Sequence, residues 1–181
     1  MDNYPQINLH RVLKGVDFGT FYKVVKFRPE ILDVFSVCDF DNEQTKQILN
    51  AFVDGLTLEQ IKSCATPDYN SVQMLAIYNA YRSGLTIEQI SIALNPDIHA
   101  VQMDRIIKGI QNGWEEKTIK LYSDPELGID QIIEIYNAIQ EICEQQGYQV
   151  VLDKSSTNNL IFASPKIDIS DELLEKMGYS K

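Results

Sequence analysis

DGLTLEQIKSCATPD, residues 54–68, and SGLTIEQISIALNPD, residues 83–97, are two versions of one pattern set 29 residues apart. Working outward from them, the repetition extends without a gap to four segments that start at Phe40, Tyr69, Ile98 and Leu127. The fifth residue of each is glutamine: Gln44, Gln73, Gln102 and Gln131. The sixteenth is Gly55, Gly84 and Gly113 in the first three, and the twenty-eighth is Pro67, Pro96 and Pro125. Self-similarity at a fixed period of this length marks supersecondary units that stack, because one such unit cannot bury its apolar side alone.

The pattern inside a unit is helical. Thr45, Ile48, Leu49 and Phe52 fall at i, i+3, i+4 and i+7, the spacing of one helix face. Met74, Ile77, Tyr78 and Tyr81 repeat it, as do Met103, Ile106, Ile107 and Ile110, and Ile132, Ile135, Tyr136 and Ile139. Asp41 and Asn70 stand in the N-cap slot, with His99 in the same slot of the third unit, each three residues before the recurring glutamine. A glutamine there can reach back to the cap's free amide and close a capping box. The glycines suit the left-handed position that ends a helix. Thr57 and Thr86 then open a second, shorter helix, with Gln60 and Gln89 three residues on, and the proline stops it. In the fourth unit Ile142 replaces the glycine, so the long helix is expected to run on to about Gln145 before Gly147.

The expected fold is therefore mainly α: stacked, solenoid-like helix-turn-helix repeats over residues 40–146. Residues 1–39 form an N-terminal capping segment, in which RPEILDVFSVCDFD reads as a degraded short helix before the same opening turn. Residues 147–181 change to a strand pattern. YQVVLD (148–153) and NLIFA (159–163) flank a polar turn and predict a β hairpin, and Ser170 caps a final helix over 171–177. A lone hairpin is marginal in water, so a third strand is expected from Gln6–Leu9 or Phe21–Phe27. Left open, its edge would invite a second copy, a route to a homo-oligomer.

With Gln73-Met74, Gln102-Met103, Gly55-Leu56 and Gly84-Leu85, the repeats resemble short helical repeats of proteins from mobile elements of Gram-positive bacteria. That resemblance implies an interaction scaffold and no known chemistry. The tail, through Val150-Val151-Leu152-Asp153, Phe162 and Asp168-Ile169-Ser170, resembles the C-terminal part of the OmpH/Skp-like chaperone family. INLHRVL (7–13) faintly resembles that family's opening strand. The family implies an exported, commonly basic chaperone that grips clients with long coiled-coil arms. This chain has an acidic composition, no signal-peptide pattern at its start, and short repeats where arms would lie.

Net charge is −10, unevenly placed: residues 1–39 balance five acids with five bases, 40–126 hold twelve against seven, and 127–181 nine against four. Such a body repels phosphate backbones at long range. The three cysteines (Cys38, Cys64, Cys143) have no metal or disulfide spacing, and no run approaches the length of a membrane span. A cytoplasmic protein is expected. Its two histidines (His10, His99), together with the absence of a phosphate loop, a nucleophile elbow or a paired-cysteine motif, point away from an enzyme, a metal site or a cofactor.

What is left is binding. The eleventh position of each repeat, Asn50, Asn79, Lys108 and Asn137, faces away from the apolar side, where helix propensity disfavours asparagine and packing does not ask for it. These four are the candidate partner-binding residues. The expected function is a non-enzymatic protein-binding scaffold, an adaptor or inhibitor encoded by a mobile element or phage. One alternative is a DNA-binding regulator, since SGLTIEQISIALNPDIHAVQMDRIIKG resembles a helix-turn-helix whose second helix bears Arg105 and Lys108. A holdase-type chaperone is the second.

Overall fold

A computed structural model describes residues 16–145. They contain eight α-helices: α1 (Phe18–Phe27), α2 (Ile31–Val37), α3 (Asn42–Val53), α4 (Leu58–Lys62), α5 (Ser71–Arg82), α6 (Ala100–Gln111), α7 (Glu116–Lys120) and α8 (Ile129–Gln145). A single 3-10 turn lies at Ser91–Ala93. No strand occurs among the described residues. The expected hairpin, final helix and strand at Gln6–Leu9 lie outside them. The chain parts into two compact units, Met1–Pro96 and Asp97–Lys181.

In the first unit, α3 packs on α5, α4 on both, and α1 on α2 and α3. Of the sixteen residues placed on the apolar faces by their spacing, all are buried except Ile110 in the second unit, which is half-buried. Asp41 and Asn70 close capping boxes with Gln44 and Gln73, as Thr57 does with Gln60. Each long helix of the first three repeats ends in a left-handed glycine, with φ of 82° at Gly55, 94° at Gly84 and 73° at Gly113. At those angles a Cβ would meet the following carbonyl, so glycine is required.

Two expectations are corrected. Phe21–Phe27 is not a strand but most of α1. The Asp17 carboxylate accepts the Thr20 amide at 2.8 Å and nucleates the helix. Phe21 and Val24 then bury themselves on one face, with Phe21 6.3 Å from the Phe35 ring. Cap and tertiary packing outweigh the β-propensity of FYKVVKF. The short helix after Thr86 is likewise absent as an α-helix. Thr86 and Gln89 do exchange their capping hydrogen bonds at 2.8 and 3.3 Å, but turns and the 3-10 segment follow. Glu88, Gln89 and Ile90 match Glu59, Gln60 and Ile61 of α4, but Ile87 and Ser91 replace Leu58 and Lys62, and both are poorer helix formers.

In the second unit α6 packs on α7 and α8. Its core is aromatic: the Trp114 and Tyr136 ring centres lie 4.9 Å apart, and Tyr122 stands edge-on to both at 6.4 and 5.8 Å. Tyr122 occupies the repeat position of Cys64 and Ala93. It fits because Gly109 replaces the buried Ala51 and Ala80; a Cβ on Gly109 would overlap the Tyr122 hydroxyl and come within 3.1 Å of Trp114 Cε3. α8 runs to Gln145, as the loss of the glycine predicts.

Candidate functional site

The recurring glutamine belongs to the fold. Gln44 accepts the Asp41 N–H at its Oε1 (2.8 Å), and its Nε2 donates to the Tyr69 carbonyl at 2.7 Å and the Pro67 carbonyl at 3.4 Å. Gln73 Nε2 donates to the Pro96 carbonyl at 2.9 Å, and Gln102 Nε2 to those of Tyr122 and Asp124 at 2.9 and 2.8 Å. Each amide latches the start of its repeat to the proline turn that closes it, and the bonds to the Tyr69 and Tyr122 carbonyls are buried. No proline stands 23 residues after Gln131, where Pro67, Pro96 and Pro125 follow the other three. Gln131 is exposed and only caps α8 through the Gly128 N–H at 2.9 Å.

The other groups that might carry chemistry are engaged structurally. The Cys64 thiol is fully buried beside Tyr78, and desolvation pushes it up to about 12. It is therefore no nucleophile near neutral pH. Burial pushes Tyr81 up to about 12 as well, while its hydroxyl lies 2.7 Å from Ser63 Oγ. His99 Nδ1 accepts the Val101 N–H at 3.1 Å as a helix cap. Arg105 lies over the Tyr136 ring at 4.9 Å, and Lys108 pairs with Asp104 at 2.8 Å. Of the two cations behind the DNA reading, Lys108 is thus ion-paired and Arg105 is half-buried against the Tyr136 ring, and the first helix that reading needs is the 3-10 turn.

All four residues at the eleventh position are exposed. The packing of α3 on α5 puts Asn50 and Asn79 on neighbouring helices. Asn79 Oδ1 accepts from Arg82 Nη1 at 2.7 Å, and Arg82 Nε donates to Asp54 Oδ2, also at 2.7 Å, at the end of α3. This bridge ties α3 to α5 at the surface and holds the Asn79 side chain through its Oδ1. Around the two amides, Val53, Val72 and Leu75 are exposed at 61%, 60% and 38%. Their numbers did not flag them, because a lone outward valine or leucine on a helix looks like tolerance. The pairing of α3 with α5 puts them on one outward face, Val53 at its Asp54–Arg82 end and Val72 and Leu75 towards the other. The charges on this face are neutralised, Asp54 by Arg82 and Glu43 by Lys46 at 3.1 Å. In the second unit Lys108 is held by Asp104, and Asn137 lies on an acidic face of α8.

Residues 100–177 match the model of a family described as Outer membrane protein (OmpH-like). The match takes in less than half of the 181-residue chain and bears out the likeness of its C-terminal part to that family. No curated protein matches the chain, and no solved structure does. No helix among the described residues is long and apolar enough to cross a membrane.

Proposed function

We propose that the protein is a non-enzymatic scaffold that binds another protein through the outward face of α3 and α5. The observation that carries this reading is the combination on that face of two exposed amides, one locked by Arg82, with Val53, Val72 and Leu75. A face with its charges paired, on a chain of net charge −10, suits a partner held by apolar contact and amide hydrogen bonds. Lys108 and Asn137, flanked by acids, are assigned a lesser share. The repeats serve as a solenoid-type support. An adaptor or inhibitor of a mobile element or phage is the setting suggested by the resemblance of the repeats, and the cytoplasm is the compartment suggested by three free thiols.

The test compares proteins captured by the wild type and by a Val72→Asp/Asn79→Ala variant of unchanged circular dichroism. A partner that saturates the wild type and is lost from the variant supports the reading. Equal capture by both removes it. A holdase activity is the second reading, favoured by the OmpH-like match over residues 100–177. It predicts that the full chain suppresses aggregation of a chemically unfolded client, and failure at molar excess counts against it.

A further inference from the structure

We propose that a second copy of this chain docks the outward face of its α8 against α1, in a head-to-tail contact distinct from the α3–α5 face. Two independent features of the molecule point to it. On α1, Phe18 and Tyr22 are 64% and 57% exposed and stacked with ring centres 6.4 Å apart, and Phe27 is 75% exposed with the Lys26 ammonium 5.8 Å from its ring centre. Lys23 and Lys26 are both exposed, α1 contains no acid, and neither lysine forms an ion pair with a described residue. This is an aromatic, cationic face in a chain with a large excess of acids.

α8 presents the opposite character. Its 17 residues include no lysine or arginine. Asp130, Glu134, Asn137, Glu141 and Glu144 are all exposed, and they recur at i, i+4, i+7, i+11 and i+14, a single ridge opposite the buried Ile132, Ile135, Tyr136 and Ile139. The ridge is about 21 Å long, enough to overlie the roughly 15 Å of α1. Like charges at i and i+4, as at Asp130 and Glu134, weaken a helix, and cations brought alongside relieve that repulsion. Neither Asp130 nor Glu134 pairs with a cation among the described residues. Ile129, 41% exposed at the start of α8, adds apolar surface for the α1 aromatics.

The two faces differ, so the contact is heterologous: each copy offers α1 to one neighbour and α8 to another. Sedimentation velocity on the full chain over a wide concentration range tests it. The wild type is expected to associate with rising concentration, and less so at high salt, since exposed charges are screened. Lys23→Glu/Lys26→Glu and Asp130→Lys/Glu134→Lys should each weaken association about tenfold or more, a change of about 1.4 kcal/mol. A mixture of the two variants restores it, because each then carries the face complementary to the other. Circular dichroism confirms that both remain folded. A wild type that stays monomeric throughout, variants that associate like the wild type, or a mixture that gives no rescue would each overturn the proposal.

Discussion

Replacing Gln44 by alanine isolates the latch that the repeat pattern encodes, and Gln131→Ala supplies its internal control. Gln44 is 6% exposed, and its loss removes the donor to the Tyr69 carbonyl at 2.7 Å and the acceptor of the Asp41 N–H at 2.8 Å. A buried polar group left without a partner costs about 1–3 kcal/mol. With the weaker Pro67 contact at 3.4 Å and the lost capping bond, the sum is about 3 kcal/mol. Gln131 stands at the same repeat position but is exposed and accepts only the Gly128 N–H, so its removal should cost about 0.5 kcal/mol. At about 2–4 °C per kcal/mol for a chain of this size, Gln44→Ala should lower the thermal midpoint by about 6–12 °C and Gln131→Ala by about 1–2 °C. Circular dichroism melts of the whole chain measure both. Equal shifts would refute the reasoning, because they would show that the glutamine acts only as a helix cap and that the buried amide contributes nothing.

Gly109→Ala should destabilise the second unit by about 1–3 kcal/mol through overpacking against Tyr122, although alanine favours a helix, and Tyr122→Phe in the same chain should recover part of that loss in a double-mutant cycle. Gly84→Ala meets no atom within 4 Å, so its cost of about 1–2 kcal/mol in urea melts would be backbone strain alone, and Gly84→Asn should cost less. Cys64 should resist iodoacetamide at neutral pH in the folded protein and react once the chain is unfolded; fast labelling in the native state would contradict its burial. Its folded thiol is pushed up to about 12 from 9.0, so the stability it contributes is fully present below pH 9 and is lost as pH rises towards 12. Alkaline melts of the wild type and Cys64→Ala should therefore converge.

Much of the helical architecture could be read from spacing, because helix faces, caps and left-handed glycines are local devices. Asp41, Asn70 and Thr57 act within three residues of the glutamines they pair with, and the glycine angles need no knowledge of the rest of the chain. What spacing does not carry is the far end of a side chain. The Gln44 amide reaches carbonyls 23 and 25 residues away, so its second role was invisible until the proline turn was seen beside it. FYKVVKF misled for the same reason: its alternating, β-rich residues have a local reading, whereas the Phe21–Phe35 contact that fixes them as a helix is tertiary. The candidate binding positions were legible as outward-facing. The aliphatic residues beside them were not, since Val53 and Val72 belong to different helices and share a face only through packing.

The positions that recur most faithfully are therefore the least informative about function. Glutamine, glycine and proline return every 29 residues because each unit must cap its long helix, turn and latch itself closed. One interior change is met by another: Tyr122 is accommodated where Gly109 has given up a Cβ. The outward positions obey neither constraint, and there the two units diverge. The first carries amides, aliphatics and paired charges on α3 and α5, with aromatics and lysines on α1; the second carries an acidic ridge on α8. One folding frame thus supports faces of opposite character. On the two proposals above, substitutions on one face should leave binding by the other unchanged and should not unfold the helices that support them.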